Sequence, residues 1–339
     1  MTPRVSVIIP CYNERRTIAR VLQAIHDQSV PLADLEVIVA DGMSDDGTRE
    51  VVAEFARAHP QLKIRLVDNR TRSIPAALNR AIESSSGPVV LRIDAHAIPY
   101  PDYVERSLQA LERTGAANAG GLWEIQPASG SWIARGIAAA AAHPLGAGDA
   151  RYRTKGLEGE ADTVPFGAFR REWLDRVGHF DESLLSNEDY ELNVRLRKAG
   201  GRIWLDPSIR AIYFARPDLP ALARQYLRYG FWKSRMLVRN AETLRWRQAL
   251  PPLFVLLALG LAAAGLAWRP AWLVLGVQLA SYASATIVAA LGAAIARREA
   301  ALILGFPLAV WTMHLTWGAA FLWGTFTWLV GGRLDPRRA

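Results

Sequence analysis

Residues 5–14, VSVIIPCYNE, carry the pattern that decides the fold. The run 5–9 is apolar and rich in β-branched residues, and the chain turns polar by Asn13. Ile18, Val21, Leu22 and Ile25 then follow at helical spacing, so the stretch reads as strand, loop, helix. The same unit recurs. The apolar run 35–40 leads into Asp41-Gly42, a polar turn, and a helix with Val51, Val52 and Phe55 on one face. Residues 63–67 read as a third strand, 74–83 as a third helix, and 89–93, after Gly87-Pro88, as a fourth strand. Such alternation calls for an α/β domain with a mostly parallel sheet covered by helices on both faces. Ligands collect beyond the carboxyl ends of the strands in sheets of this kind. Three polar clusters should therefore share one rim: Tyr12, Asn13 and Glu14; Asp41, Ser44, Asp45 and Asp46; Asp94 and His96.

Working outward, the 339 residues are 51% hydrophobic with a formal net charge of +8, which excludes a disordered chain. The charge is unevenly spread. Residues 249–332 contain four charged side chains, Arg269, Arg297, Arg298 and Glu299, so this region is suited to a bilayer. Its apolar stretches 253–268, 271–296 and 300–329 read as about three spans, the last containing Pro307, with Trp268, Trp272 and Trp328 near their ends. Arg297 and Arg298 fit a cytoplasmic turn by the positive-inside rule, although a third span would put the basic residues of the tail outside. Just before these stretches, arginines interleave with aromatics (Arg224, Tyr226, Arg228, Tyr229, Phe231, Trp232), the composition of helices at headgroup level or of an amphipathic helix packed on the soluble part. The expected organisation is a soluble domain over 1–217, amphipathic interfacial helices over 218–248, transmembrane helices over 249–332 and a basic tail over 333–339. Residues 1–248 hold 34 basic and 30 acidic residues, so no nucleic-acid surface is expected. Cys11 stands alone, which excludes a disulfide-stapled module, and the N-terminal apolar run is too short for a signal peptide.

The rim residues support definite chemistry, each against a plainer alternative. In RIDAH (92–96), Ala95 separates Asp94 from His96, so both side chains reach the same side. A carboxylate and an imidazole so placed can share Mn²⁺ or Mg²⁺ with a diphosphate, or can simply end a strand and cap a turn. Asp41, at a strand end, can accept a hydrogen bond from a nucleobase, whereas Asp46 to Thr48 fit a turn feeding a helix. In SNEDYELNVRLRKAGG (186–201), Asn187 reads as an N-cap. Glu188 and Asp189 in the first turn complement the helix dipole, and a carboxylate there can equally serve as general base.

Taken in order, VSVIIPCYNE, ADGMSDDGT, RIDAH and NEDYELNVRLRKAGG resemble the motifs of the family 2 glycosyltransferases, over about residues 4–205. These are inverting enzymes with the nucleotide-sugar-binding GT-A fold. The segments NRTRSIPAALNRAI (69–82) and RQYLRYGFWKSRM (224–236), with DAH in place of the commoner DxD, are similar to membrane-bound bacterial exopolysaccharide glucosyltransferases of the succinoglycan type. The resemblance implies that Pro10, Tyr12 and Glu14 line the nucleoside pocket, that Asp41 contacts the base and that Arg72 lies near the nucleotide. Asp94 and His96 would hold Mn²⁺ or Mg²⁺ on the diphosphate. Asp189 would be the catalytic base with Glu188 in support. Gln225, Arg228 and Trp232, placed at the acceptor or the membrane interface, only partly match the QxxRW signature of processive synthases, with Tyr229 where its Trp would stand, so processive polymerisation is not expected.

The implied activity is metal-dependent transfer of a hexose, glucose from UDP-glucose being the expected donor, onto a polyprenyl-linked glycan in exopolysaccharide or cell-envelope synthesis. The implied setting is the bacterial cytoplasmic membrane, multi-pass, with membrane lipids as partners and the catalytic domain cytoplasmic. One alternative makes the acceptor a bare polyprenyl phosphate. Another, of a different class, is a non-catalytic membrane anchor or partner protein that keeps the fold. His143 and Arg151 are the residues of the 129–163 region considered for acceptor contact.

Overall fold

The computed structural model describes residues 3–148, 150–154, 156–239 and 245–331; the expected basic tail lies outside these, as do residues 240–244 of the expected interfacial stretch. The chain divides into two compact units, one of residues 1–124 and 151–213, the other of residues 125–150 and 214–339. Residues 125–150, expected to belong with the soluble domain, thus group with the C-terminal helices.

In the first unit the strand–helix alternation forms as the pattern predicts: β1 (Val5–Cys11), α1 (Ile18–His26), β2 (Leu35–Asp41), α2 (Thr48–Ala58), β3 (Lys63–Asp68), α3 (Ile74–Glu83) and β4 (Val89–Arg92). Strands β3, β2, β1 and β4 lie side by side and parallel, with Cys11 opposite Asp41 and Asp41 opposite Asp68. The carboxyl ends of β1, β2 and β3 are level, and β4 stops at Arg92, opposite Ile8. Pro10 is tolerated in this central strand because the pairing of β1 with β4 covers only Val5–Ile8. Of the nearly all-buried β1 and β2, Val7, Ile8, Ile9, Val37, Ile38 and Val39 are fully shielded, as strands covered on both faces require.

The far half of the sheet carries no such alternation. After β5 (Ala97–Pro99) and α4 (Tyr103–Thr114) come β6 (Asn118–Gln126) and, beyond α5 (Trp132–Ala141) and α6 (Pro144–Ala147) of the other unit, β7 (Gly159–Glu160), β8 (Ala168–Arg170), α7 (Arg171–Val177), α8 (Glu188–Lys198) and β9 (Ile203–Phe214). The sheet runs β3-β2-β1-β4-β8-β6-β9-β5, with β7 on β9. Beyond β4 the pairs β4/β8, β8/β6, β9/β5 and β9/β7 are antiparallel. The parallel sheet read from the sequence is therefore one half of a mixed sheet. Leu78 and Ile82 of α3, Leu192 and Leu196 of α8, and Phe169 and Phe180 share its core.

The second unit contains α5, α6, α9 (Leu219–Arg239), α10 (Trp246–Gly265), α11 (Pro270–Arg297) and α12 (Leu302–Gly331). Helices α10, α11 and α12 are, among the described residues, long and apolar enough to cross a membrane. Pro307 does not break α12. It lies in the second turn, where losing one N–H is tolerated better than at mid-helix. Residues 219–239 of the expected interfacial stretch form the single helix α9, whose Trp232, Lys233, Ser234 and Met236 are buried. It meets α12 at two glycines: a Cβ on Gly230 would fall 2.3 Å from the Trp317 carbonyl oxygen, and one on Gly324 would fall 2.2 Å from Ser234 Oγ. Small residues at such crossings let apolar helices approach closely.

Candidate active site

The residues beyond β1, β2 and β4 interlock. Tyr12 leaves β1 43% exposed, packed on Gly42, where a Cβ would lie 3.1 Å from the Tyr12 side chain. Asn13 adopts φ 55°, which Asn tolerates, and its N–H donates to Ser44 Oγ at 2.8 Å. Asp41 is fully buried. Its carboxylate accepts from the Ser44 N–H at 2.9 Å, from Ser44 Oγ and from Arg49 Nη1 at 2.8 Å, while Arg49 Nη2 reaches Asp68 at 3.0 Å. Asp41 therefore organises the 42–49 loop, with Arg49 as a partner that sequence reasoning did not single out. Asp46 accepts from the Thr48 N–H at 3.0 Å and behaves as the turn residue expected. Arg72, at φ 57°, places its guanidinium 5.2 Å from the Tyr12 ring centre, so the two residues assigned to the nucleotide from different loops meet.

Asp94 and His96 lie in the turn after β4, partly exposed, while Ala95 between them is buried, as the alternation predicts. Glu14 Oε1 is 3.0 Å from His96 Nδ1. A carboxylate in this pairing only accepts, so the bond puts the proton on Nδ1 and fixes the ring. Burial works to raise the Glu14 carboxyl, but the His96 hydrogen bond and charge and the Thr17 hydroxyl outweigh it and hold the group below its ordinary value. Among the described residues, no three His, Cys, Asp or Glu side chains are grouped to hold a metal by themselves. One carboxylate and one oriented imidazole would fit a divalent ion that a diphosphate helps to hold.

The third cluster joins through a residue not predicted. Arg92, the last residue of β4, donates from Nε to Asp94 Oδ1 and from Nη1 to Glu188 Oε1, each at 3.0 Å. Burial alone would lower the affinity of this guanidinium for its proton; the surrounding Asp94, Glu188 and Asp189 charges more than offset it and keep Arg92 cationic. Burial, opposed by Arg92 and reinforced by Asp189, raises the Glu188 carboxyl above its ordinary value. Asp189 is partly exposed, with Oδ1 accepting from the Tyr190 N–H at 2.7 Å. Asn187 stands at the N-cap position, but at φ 64° and without a side-chain capping bond to the helix. Asn187 is thus the N-cap residue expected, in a left-handed turn that precedes Glu188 and Asp189. The available signal for Arg92 was an arginine inside the apolar strand VVLRI, a position that demands carboxylate partners.

Pro10, Tyr12, Glu14, Asp41, Arg72, Asp94, His96, Glu188 and Asp189 thus all belong to the first unit. Gln225, Arg228 and Trp232 lie on α9 of the second. Gln225 is buried, accepting from Arg216 Nε at 3.2 Å and donating to the Tyr229 hydroxyl at 2.8 Å; Trp232 is buried, and Arg228 is exposed. His143 caps α6 by accepting from the Leu145 N–H at 3.1 Å, and Arg151 donates to the Glu160 carbonyl at 2.8 Å, so both are engaged in their own loops.

Comparison with known proteins shows the family of the chain. The family model described as Glycosyl transferase family 2 matches residues 6–178. The succinoglycan biosynthesis protein ExoA of Rhizobium meliloti (strain 1021) is 32% identical over 317 residues, 93% of each chain. A dolichyl N-acetyl-alpha-D-glucosaminyl phosphate 3-beta-D-2,3-diacetamido-2,3-dideoxy-beta-D-glucuronosyltransferase of Methanococcus voltae is 26% identical over 262 residues, 75% of this chain and 80% of the relative. Among solved structures, the mannosyltransferase PcManGT from Pyrobaculum calidifontis, in complex with GDP-Man and Mn²⁺, shares the fold with a TM-score of 0.62 at 24% identity, over 96% of this chain and 88% of its own.

Proposed function

Because the chain belongs to glycosyl transferase family 2, we propose that it is an inverting, metal-dependent hexosyltransferase that extends a lipid-linked glycan. The observation that carries this reading is the meeting of the Asp94/His96 turn with the Glu188/Asp189 helix start, bridged by Arg92. It brings a cation-and-diphosphate half-site and a base within one cluster.

In this reading Tyr12 and Arg72 hold the nucleoside of a UDP-hexose, the Asp41 loop supports the base, and Asp94 and His96 hold the divalent ion, with Glu14 orienting His96. The ion, when bound, neutralises charge on the departing nucleoside diphosphate. Asp189 accepts the proton of the acceptor hydroxyl as that oxygen attacks the anomeric carbon and the diphosphate leaves from the opposite face. Glu188, fixed by Arg92, keeps Asp189 in place. No covalent sugar–enzyme intermediate is needed. The name of the Methanococcus voltae relative, a transferase acting on a dolichyl-phosphate-linked sugar, supports a saccharide already carried on a lipid as the acceptor. The succinoglycan relative supports a role in exopolysaccharide synthesis. The three apolar helices suit a multi-pass protein of the cytoplasmic membrane, with the exposed Arg224 and Arg228 of α9 at the headgroups and the catalytic unit cytoplasmic.

The test is thermal stabilisation of the detergent-purified protein by UDP and GDP, each with Mn²⁺, Mg²⁺ or EDTA, in the wild type and Asp94→Asn. A ligand at a hundredfold excess over its dissociation constant stabilises by about 2.7 kcal/mol. UDP should stabilise the wild type with Mn²⁺, weakly in EDTA, and Asp94→Asn should lose the metal-dependent part. Asp189→Asn should keep nucleotide binding and lose at least about a hundredfold in transfer to a polyprenyl-diphosphate glycan. Absence of stabilisation by either nucleotide in folded wild type refutes the reading.

A further inference from the structure

We propose that Arg92 is a positioning residue of the transfer reaction, a rigid fork that sets the donor carboxylate and the base-bearing helix in fixed relation. The inference rests on the function proposed above and adds to it a residue that touches neither substrate.

Three observations converge on Arg92. Its side chain is 10% exposed, at the end of a strand whose Val90 and Leu91 are buried and just before buried Ile93, a place where a cation is costly unless its hydrogen bonds are filled. It fills them with carboxylates from two separate parts of the chain, Asp94 two residues on and Glu188 at the first position of α8, both at 3.0 Å. It uses different nitrogens for the two, so the planar guanidinium fixes an angle between them as well as a distance. The backbone holds the fork in register: the Arg92 N–H donates to the Gly167 carbonyl at 3.1 Å, and the next residue, Ile93, donates to the Ile8 carbonyl at 3.0 Å.

The consequence follows from what each carboxylate neighbours. Asp94 would hold the divalent ion on the donor in the proposed reaction. Glu188 is followed at once by Asp189, whose reach toward the acceptor oxygen depends on where the first turn of α8 sits. Asn187, just before, is in a left-handed conformation and accepts from the Glu191 N–H through its carbonyl at 3.0 Å, so the Arg92–Glu188 bond ties the first turn of α8 to β4. Remove the fork, and Asp94, Glu188 and Asp189 become neighbouring carboxylates without the guanidinium that bridges Asp94 to Glu188. They separate, and donor and base lose their alignment, to which transfer rates are sensitive at the scale of an ångström. Lysine keeps the charge but offers a point donor instead of a fork, so Arg92→Lys separates charge from geometry.

The experiment uses the full chain in detergent micelles, comparing wild type, Arg92→Lys, Arg92→Gln and Glu188→Gln. Three quantities are read: the melting temperature without ligand, the dissociation constant of UDP with Mn²⁺ and with EDTA, and kcat and KM for transfer. Arg92→Lys should remain folded, bind UDP with Mn²⁺ at least fivefold more weakly, bind UDP in EDTA unchanged, and lose at least thirtyfold in kcat at an unchanged acceptor KM. Glu188→Gln, which leaves the Asp94 arm in place, should lose kcat without weakening UDP and Mn²⁺. Arg92→Gln should resemble Arg92→Lys if it folds; should it fail to fold, the Lys and Glu188 variants decide. The proposal is overturned if Arg92→Lys stays within threefold of wild type in both affinity and kcat, or if losses in all variants merely follow their melting temperatures. A wild type that binds neither UDP nor GDP and transfers nothing refutes the proposed function itself, a result distinct from an active wild type indifferent to Arg92.

Discussion

Buried charge organises both ends of the parallel strands, and the end away from the site makes this easiest to isolate. Glu36, its side chain 5% exposed, accepts from Ser6 Oγ at 2.7 Å, from the Ser86 N–H at 2.6 Å and from Arg65 Nη2 at 2.7 Å, tying β1, β2 and β3 to the loop before β4. Burial works against its charge, yet the Ser6, Ser86 and Arg65 hydrogen bonds prevail and the carboxyl lies below its ordinary 4.5. Glu36→Gln turns an acceptor into a group that also presents N–H to those donors, and should cost about 1–3 kcal/mol near pH 7. A depressed carboxyl stabilises fully above the unfolded value and loses that stabilisation as pH falls through the folded one. The melting difference between wild type and Glu36→Gln should therefore be constant from pH 8 to about 5 and narrow below 4.5. A difference unchanged down to pH 3 contradicts this account. Arg92 applies the same logic at the other end of the strands, with function added.

At the scale of elements, what could be read in advance depended on whether a segment belongs to a repeating strand–helix unit. The strands and helices from Val5 to Arg92 alternate in a repeating unit whose periodicity alone revealed them, together with the rim where Tyr12, Asp41 and Asp94 gather. The antiparallel half was illegible because β8 and β9 pair with strands far away in sequence, and β5, β7 and β8 span only two or three residues each. The Arg92–Glu188 pair was hidden for the same reason, although an arginine in an apolar strand hinted at it. The Ala-rich α5 was ambiguous in another way: small apolar residues suit a soluble core or a membrane helix equally. The structure packs it on α12, where a Cβ on Gly136 would lie 2.4 Å from the Gly305 carbonyl carbon, whereas one on Gly305 would come no nearer than 3.1 Å to Gly136 Cα. Gly136→Ala should thus cost about 1–3 kcal/mol or more by forcing the helices apart, Gly305→Ala less, and Gly130→Ala, with open space around it, almost nothing. Melting temperatures of the three variants in one detergent check the order; Gly136→Ala matching Gly130→Ala would rule out the close crossing.

At the scale of the whole molecule, the chain passes from the catalytic unit into the helical unit at residue 125, returns at 151 and leaves again at 214. The match of the family model to residues 6–178 runs straight across this excursion. A truncation to residues 1–214 would therefore carry α5 without its partners, exposing Ile137, Ala138 and Ala140, which are buried beside Phe306, Val310 and Met313. An exposed apolar face of that kind favours aggregation. The two ends of the excursion lie close together within the catalytic unit, since the Trp123 and Tyr152 rings are 5.1 Å apart. Eight Gly/Ser residues have a root-mean-square span of about 16 Å, ample for such a gap. Residues 1–214 with 125–150 replaced by that linker should be monodisperse without detergent and keep the UDP and Mn²⁺ stabilisation of the full chain, because Tyr12, Asp41, Arg72, Asp94 and His96 all lie outside the replaced segment. It should fail in transfer to a lipid-linked glycan, having lost the helices that suit a bilayer. Size-exclusion profiles of the two truncations decide the matter: equal aggregation of both would show that the catalytic unit depends on the helices for more than the covering of α5.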